Sequence, residues 1–297
     1  MPERDRHMPG LVPERDGYIP GVPCAVDTGQ PDPEAALDFY GGLFGWDFED
    51  LMPPDSDGNY FVGRIRGAPA AAVGSIPEGL PSEATWNTYV SVASADEAVS
   101  KVRDAGGTVV MAPFDIPGSG RMAVFADPEG AAFCVWEAKE FKGAGIVNEH
   151  GSLNFNVLNS RDVAGAKSFY GAVFGWTTLA LPAGEMWTLP GYGDYLERDN
   201  PGLREQVAEM GGPEGFVDVV ASIIPIAADQ PDTPAHWNVT FAVDDADAAA
   251  AKATELGGTV VAPPFDAPWV RMTILNDPRG ATFVASQFVA ENRDLGG

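Results

Sequence analysis

The chain has 297 residues, and its 43 acidic against 18 basic side chains give a formal net charge of −25 at pH 7. Such a surface repels phosphate backbones and anionic lipids, which argues against nucleic acid or a membrane as a partner. No stretch approaches the ~20 consecutive apolar residues of a membrane span. Residues 1–20 are polar and interrupted by proline, unlike a signal peptide. We therefore expect a cytoplasmic protein.

Taken in chain order, the first half shows the same succession of elements twice. Alternating apolar residues between Gly and Pro indicate strands, and apolar residues at helical spacing indicate helices. A strand at 22–28 precedes a helix opened by Asp32 and Pro33, and strands follow at 46–50, 60–66 and 70–76. The order recurs as a strand at 88–93, a helix at 95–105, and strands at 108–112, 121–126 and 132–137. Each half is thus predicted to be β-α-β-β-β twice.

The second half of the chain repeats the first. ALDFYGGLFGW at 36–46 returns as AKSFYGAVFGW at 166–176, and DPEGAAF at 127–133 returns as DPRGATF at 277–283. Matched motifs in the same order predict a tandem duplication. We expect a flexible tail at 1–17, a first domain at 18–142, a linker at 143–150 and a second domain at 151–290.

Corresponding motifs lie further apart in the second half, which predicts an insertion at about 197–215. Within it, Asn200 is expected to cap a short helix that opens at Pro201 and ends at Gly211.

Several repeated residues have a structural interpretation. Asp127 and Asp277 are expected to form turns, because an aspartate side chain readily accepts hydrogen bonds from nearby backbone amides. Cys24 and Cys134 are too few for a disulfide framework and lie in apolar segments, so we expect buried free thiols. The repeated aromatic side chains are expected to form core: Phe39, Tyr40, Phe44 and Trp46, with Phe169, Tyr170, Phe174 and Trp176.

The duplicated FYxxxFGW and DPxGAxF motifs resemble the vicinal oxygen chelate superfamily, which includes glyoxalase I, bleomycin-resistance proteins and extradiol dioxygenases. The combination looks like the two-domain, glyoxalase-like branch of actinobacteria, and the resemblance covers nearly the whole chain after about residue 18. It implies an α+β fold of four βαβββ units, two per domain. Each pair of units would roll a mixed sheet into a cup around a cavity, where enzymes of the superfamily hold a divalent metal.

The positions that the resemblance assigns to metal ligands are occupied by other residue types. They are Ala25, Asn87 and Cys134 in the first half, and Phe155, Asn238 and Val284 in the second. A tight divalent site needs three or four N, O or S ligands that converge on one point. We therefore expect no metal cofactor. His236 is the one histidine near the ligand register, and we interpret it as a polar residue at a strand start, with a metal ligand as the minor alternative.

Strand alternation carries further side chains to the same face as these positions. Asp27 is the candidate acid or base, while Arg121 and Arg271 either anchor a ligand carboxylate or form ion pairs with nearby aspartates. Trp269, Met186 and Trp187 are expected to cover an opening, and Phe155 to fill the second cavity. The predicted ligand-binding residues are Asp27, Asn87, Tyr89, Arg121, Phe125, Cys134, Trp136, Asn238, Thr240, Trp269 and Arg271.

Three functions remain open from the sequence. The first is metal-free binding of a small aromatic or natural-product molecule, in antibiotic resistance or secondary metabolism. The second is a metal-independent lyase, isomerase or accessory hydroxylase, and the third, ranked last, is metal-dependent glyoxalase or dioxygenase chemistry. A monomer and a homodimer are both compatible with the duplication.

Overall fold

The computed structural model describes residues 15–53, 55–76, 82–181 and 184–295. The first half contains strands and helices in the order β1 (Pro23–Gln30), α1 (Pro33–Phe44), β2 (Asp47–Asp50), β3 (Tyr60–Ile65), β4 (Ala68–Ser75), β5 (Thr85–Ser91), α2 (Ala95–Asp104), β6 (Thr108–Ile116), β7 (Gly120–Ala126) and β8 (Ala132–Ala138).

The second half follows the same order with two added helices. Its elements are β9 (Leu153–Ser160), α3 (Val163–Phe174), β10 (Thr177–Leu181), β11 (Gly184–Thr188), α4 (Tyr192–Asp199), α5 (Leu203–Glu209), β12 (Val219–Pro225), β13 (His236–Ala242), α6 (Ala246–Glu255), β14 (Thr259–Ala267), β15 (Val270–Asn276) and β16 (Thr282–Phe288). Among the described helices, none has the length and apolar character that crossing a bilayer requires.

Each half forms one mixed sheet of eight strands, in the order β2-β3-β4-β1-β5-β8-β7-β6 and its equivalent β10-β11-β12-β9-β13-β16-β15-β14. At the centre, β1 runs antiparallel to β5, while β1 and β4, like β5 and β8, are parallel. Two βαβββ units therefore join edge to edge through their first strands. The predicted α+β fold of tandem glyoxalase-like domains is confirmed.

The helix that opens each half has the same two ends. The side chain of Asp32 caps α1 by accepting a hydrogen bond from the Ala35 amide, and Asp162 caps α3 in the same way. At the other end Gly45 and Gly175 adopt the left-handed conformation, with φ of 71° and 76°. Such a conformation favours glycine and stops a helix, which explains the glycine of the repeated FGW sequence.

The two principal hydrophobic cores each combine residues of both halves. One joins α1 and its strands to the last unit, which contains α6, and the other joins the unit of α2 to the unit of α3. The repeated aromatic residues lie inside these cores: Phe39, Tyr40 and Trp46 are at most 4% exposed, as are Phe169, Tyr170 and Trp176. Their interpretation as core is confirmed.

The insertion differs from the prediction. It lies between β11 and β12 and contains two helices, of which α4 begins at Tyr192, before the predicted start. Asn200 ends α4 instead of capping the next helix, and Gly202 precedes α5. The prediction for Asn200 is wrong because the predicted insertion starts at about 197, whereas helix α4 already starts at Tyr192. Helix α5 does end before Gly211, which has a φ of 85°.

Residues 1–14 of the predicted tail lie outside the described residues, as does His7. Residues 15–17 belong to the folded part, because the backbone amide of Arg15 donates a hydrogen bond to Gly145 O at 3.0 Å. The segment predicted as a linker also packs into the protein: Ala144, Ile146 and Val147 are buried.

Candidate functional site

The concave face of the first sheet is called cup 1 and is defined by Ala25, Asp27, Asn87, Tyr89 and Cys134. Adjacent strands bring these residues together, because Asp27 lies opposite Asn87, Ala25 opposite Tyr89, and Tyr89 beside Cys134. Trp136 and the side chains of Met122 and Val124 complete the same cluster.

Asp27 is the centre of a hydrogen-bonded group in cup 1. Its carboxylate accepts hydrogen bonds from Tyr89 OH at 2.7 Å, Asn87 Nδ2 at 2.8 Å and Tyr60 OH at 3.0 Å. The residue is 7% exposed. Burial raises the pKa of the Asp27 carboxyl, and the three hydrogen bonds oppose that rise. Desolvation has the larger effect, so the group can hold a proton more readily than a surface aspartate.

Tyr60 is the member of this group that the sequence analysis missed. It begins β3, where Tyr60 and Val62 lie opposite Gly74 and Ala72 of β4, and Ala72 lies beside Asp27 of β1. The sequence shows which side chains of β3 alternate. Only the pairing of β3 with β4, and of β4 with β1, shows that Tyr60 shares a face with Asp27.

The residues of cup 1 do not fit a divalent metal. Cys134 is a buried thiol whose pKa is raised by burial, so it is not the thiolate that binds metals. The oxygens of Asp27 are already engaged by three donors. Among the residues that the structure describes, no group of three His, Cys, Asp or Glu side chains could hold an ion.

The concave face of the second sheet is called cup 2 and is defined by Phe155, Val157, Asn238, Thr240 and Val284, which are equivalent to the five residues of cup 1. Asn238 lies opposite Val157, and Thr240 lies opposite Phe155 and beside Val284. No side chain in this set of five can supply the strong anionic or imidazole ligand that a tight site needs.

Cup 2 is more exposed than cup 1 at two of the equivalent positions. Asp27 and Cys134 of cup 1 are buried, at 7% and 3% exposed, whereas Val157 and Val284 are only half-buried. Phe155 is half-buried as well. That it fills the second cavity stays a prediction. The large side chains of Tyr89 and Trp136 in cup 1 are replaced by the smaller Thr240 and Ser286 in cup 2.

A row of polar side chains crosses the open end of cup 2. His236 lies opposite Asn159 on the neighbouring strand. The Nδ1 of His236 lies 2.8 Å from Pro234 O, which only accepts, so Nδ1 carries the proton and Nε2 accepts from Asn238 Nδ2 at 3.3 Å. Asn159 Nδ2 is buried without a hydrogen-bond partner. A buried amide in that condition needs an acceptor, which a ligand or a water molecule can supply.

The strand beside each cup is displaced by one residue from the predicted register. Arg121 and Phe125 lie on the convex face of the sheet, where Phe125 packs in the core, and Arg271 has the position equivalent to that of Arg121. The reason is the pairing of β7 with β8, in which Cys134 faces Val124 and Phe133 faces Phe125. Residues opposite one another share a face, so Met122 and Val124 line cup 1 instead.

The two arginines form ion pairs. Arg121 contacts Asp96 and Asp115 at 3.0 and 3.2 Å, which is the structural alternative left open by the sequence. Arg271 contacts Asp247 at 2.6 Å and Asp266 at 3.0 Å.

The three residues predicted to cover an opening have different positions. Trp187 is fully buried in the core between the halves, which corrects the prediction that it covers an opening. Met186 lies on strand β11, opposite Ser222. Trp269 lies in the β14–β15 turn with a φ of 70° and stacks on Phe288, with ring centroids 6.1 Å apart. Because Phe288 follows Val284 at even spacing on β16, this stack lies beside cup 2.

Paired βαβββ units that form two cups define a member of the vicinal oxygen chelate superfamily. The model of the glyoxalase-like domain matches residues 24–136 and 156–285, and the chain therefore belongs to the glyoxalase-like family. CFP32 of Mycobacterium tuberculosis, whose name proposes a glyoxylase activity, is 39% identical over 88% of this chain and 93% of its own length. The anthracycline biosynthesis protein DnrV of Streptomyces peucetius is 35% identical over 88% of this chain and 91% of its own.

Solved structures with this fold include the Mn(II)-bound glyoxalase from Novosphingobium aromaticivorans, with a TM-score of 0.57 and 16% identity. The match covers 92% of this chain and 85% of the glyoxalase. At that identity the likeness concerns the fold alone.

Proposed function

We propose that the protein binds a flat aromatic natural product in cup 2 without a metal ion. The observation that carries this proposal is the state of the ligand positions in cup 2. Phe155 and Val284 form an apolar, half-buried wall there, and the amides of Asn238 and the unpartnered Asn159 lie on the same face. Apolar walls with a few convergent hydrogen-bonding groups are typical of sites for aromatic ligands.

The walls of cup 2 bind by burial of apolar surface, at about 25 cal/mol per Å² removed from water. Met272, Ile274 and the stacked Trp269 add to the apolar area. Asn159 Nδ2 donates to a carbonyl or hydroxyl oxygen of the ligand, which sets the ligand's orientation. The net charge of −25 favours neutral or cationic ligands over anionic ones.

The ligand class is a polycyclic aromatic of secondary metabolism, and the similarity to the anthracycline biosynthesis protein DnrV supports that choice. A fluorescent anthracycline is therefore the probe. Titration of the chelator-treated protein is expected to give saturable quenching with one site per chain.

A matched pair of variants locates the site. Ile274 in cup 2 and Val124 in cup 1 have equivalent positions, opposite Val284 and Cys134, and both are half-buried. Ile274→Trp fills cup 2 and is expected to weaken probe binding by at least about tenfold, while Val124→Trp leaves it unchanged. The reverse pattern would assign the site to cup 1, and no loss in either variant would overturn the proposal.

A second candidate function is metal-independent catalysis in cup 1, in which Asp27 donates or accepts a proton. It is favoured by the raised pKa of the Asp27 carboxyl and by its three hydrogen-bond donors. Turnover that survives a chelator and is lost in Asp27→Asn would support it. Full turnover in that variant would remove Asp27 from the mechanism.

A further inference from the structure

A separate cavity of ≈ 90 Å³ lies where the inserted helices α4 and α5 pack against the beginning of the folded chain. Its walls are mostly apolar, with Val22, Leu196 and Val217 among them, and it borders cup 2 at Phe155. Among the described residues of its lining, Arg15 is the one cationic side chain. None of the described residues that line it is acidic, although the whole chain has 43 acidic residues.

Arg15 is held in this cavity by two aromatic rings. Its Cζ lies 5.4 Å from the ring centroid of Tyr18 and 5.8 Å from that of Tyr192, and Nη1 donates a hydrogen bond to Tyr192 OH at 2.6 Å. Tyr18 is fixed in turn, because its hydroxyl donates to Ala144 O at 2.7 Å. The guanidinium is therefore placed by packing and by hydrogen bonds, and its orientation does not depend on a ligand.

One nitrogen of this guanidinium has no acceptor among the residues that the structure describes. The Nε of Arg15 is buried and makes no hydrogen bond, and no described aspartate or glutamate forms an ion pair with Arg15. Arg15 as a whole is half-buried, but an unpaired buried N–H is unfavourable. The edge that contains Nε and Nη2 matches the two oxygens of a carboxylate, which it binds through parallel hydrogen bonds.

We propose that this cavity is a binding site for a small organic monocarboxylate, held by Arg15 through its unpaired Nε and the adjacent Nη2. The volume equals that of about three water molecules, which suits an acid of a few carbon atoms. The apolar walls accommodate the carbon chain. A tetrahedral phosphate carries more negative charge, which a described lining with one cationic side chain does not match. The site is independent of the ligand that we propose for cup 2.

Isothermal titration with sodium pyruvate at constant ionic strength tests the proposal. The natural chain is expected to bind one pyruvate saturably, and Arg15→Met, which keeps most of the side-chain length, is expected to bind at least about tenfold more weakly. Arg66→Met is the control, because Arg66 is an exposed arginine that pairs with Glu149 at 2.6 Å. It should bind as the natural chain does.

Arg15→Lys keeps the charge and removes the two-donor edge, so it covers the case in which Arg15→Met does not fold. With an unchanged near-ultraviolet circular dichroism spectrum, it is expected to bind pyruvate several-fold more weakly. Absence of saturable heat with the natural chain, or unchanged affinity in the folded Arg15 variant, would overturn the proposal. Phosphate binding as tight as that of pyruvate would overturn the carboxylate assignment.

Discussion

The hydroxyl of Tyr40 donates a hydrogen bond to Asp277 Oδ2 at 2.9 Å, although the two residues are 237 positions apart in the chain. In the equivalent pair, the hydroxyl of Tyr170 in the second half donates to Asp127 Oδ2 in the first half at 3.1 Å. Both contacts are buried, and each aspartate also holds its own turn through two backbone amides. The two repeated motifs therefore act together, each joining one half of the protein to the other.

Removal of either tyrosine hydroxyl is expected to destabilise the whole chain. Tyr40→Phe leaves the Asp277 carboxylate with one partner fewer and takes the acceptor from Trp86 Nε1, which donates to Tyr40 OH at 3.1 Å. The free energy of unfolding, measured with urea, should fall by about 1–3 kcal/mol. Tyr170→Phe should have a similar effect, since Trp237 Nε1 donates a hydrogen bond to Tyr170 OH at 2.9 Å. An unchanged unfolding curve for both variants would contradict this account.

The elements, the duplication and the buried aromatic side chains are predictable from the sequence, because periodicity and helix ends are local properties. Which half each aromatic residue faces is not predictable in this way. Gly107 illustrates the reason: a Cβ there would lie 2.7 Å from Phe169 Cε2 in the other half, and at Gly258 it would lie 2.8 Å from Phe39. The second glycine of the repeated GGTVV sequence makes room for a ring that only the folded structure brings near.

The candidate site was predictable in part for the same reason. Asp27, Asn87 and Tyr89 lie on the two central strands, whose alternation is unambiguous, and the structure brings them together. Phe125 and Arg271 were assigned to the wrong face because the register of a hairpin depends on pairing across it, and a shift of one residue reverses every side chain.

Asp27 should make stability depend on pH. Its native pKa is raised from the ordinary value of 3.8, so the folded state binds the proton more tightly than the unfolded chain. The resulting stabilisation is complete below the unfolded pKa and is lost as the pH rises through the native pKa. The stability of Asp27→Asn relative to the natural chain should therefore increase with pH, by at most about 1.4 kcal/mol per pH unit. Parallel urea-denaturation profiles from about pH 4 to 8 would refute this.

Both thiols should be unreactive in the native protein. Cys24 and Cys134 are 0% and 3% exposed, and burial raises the pKa of each, so neither supplies a thiolate. A disulfide reagent that reports released thiolate should detect neither cysteine in buffer and both in denaturant. Rapid modification of Cys134 in buffer would show instead that cup 1 is open.

The ion-paired arginines should have no part in ligand binding. Arg121→Met and Arg271→Met remove contacts to aspartates on the outer face of each sheet, away from both cups. The affinity for the anthracycline probe should stay within experimental error of that of the natural chain. A loss of probe affinity in Arg271→Met alone would show that Arg271 takes part in ligand binding in cup 2.

Ligand binding by protein that has been stripped of metal tests the central claim most directly. The affinity for the anthracycline probe is measured after exhaustive chelation and again after addition of manganese, zinc or ferrous iron, with metal content determined in the same samples. Equal affinity in all samples is the result that the hydrogen-bonded and apolar cups predict. Binding that appears only when a stoichiometric ion is present would contradict it.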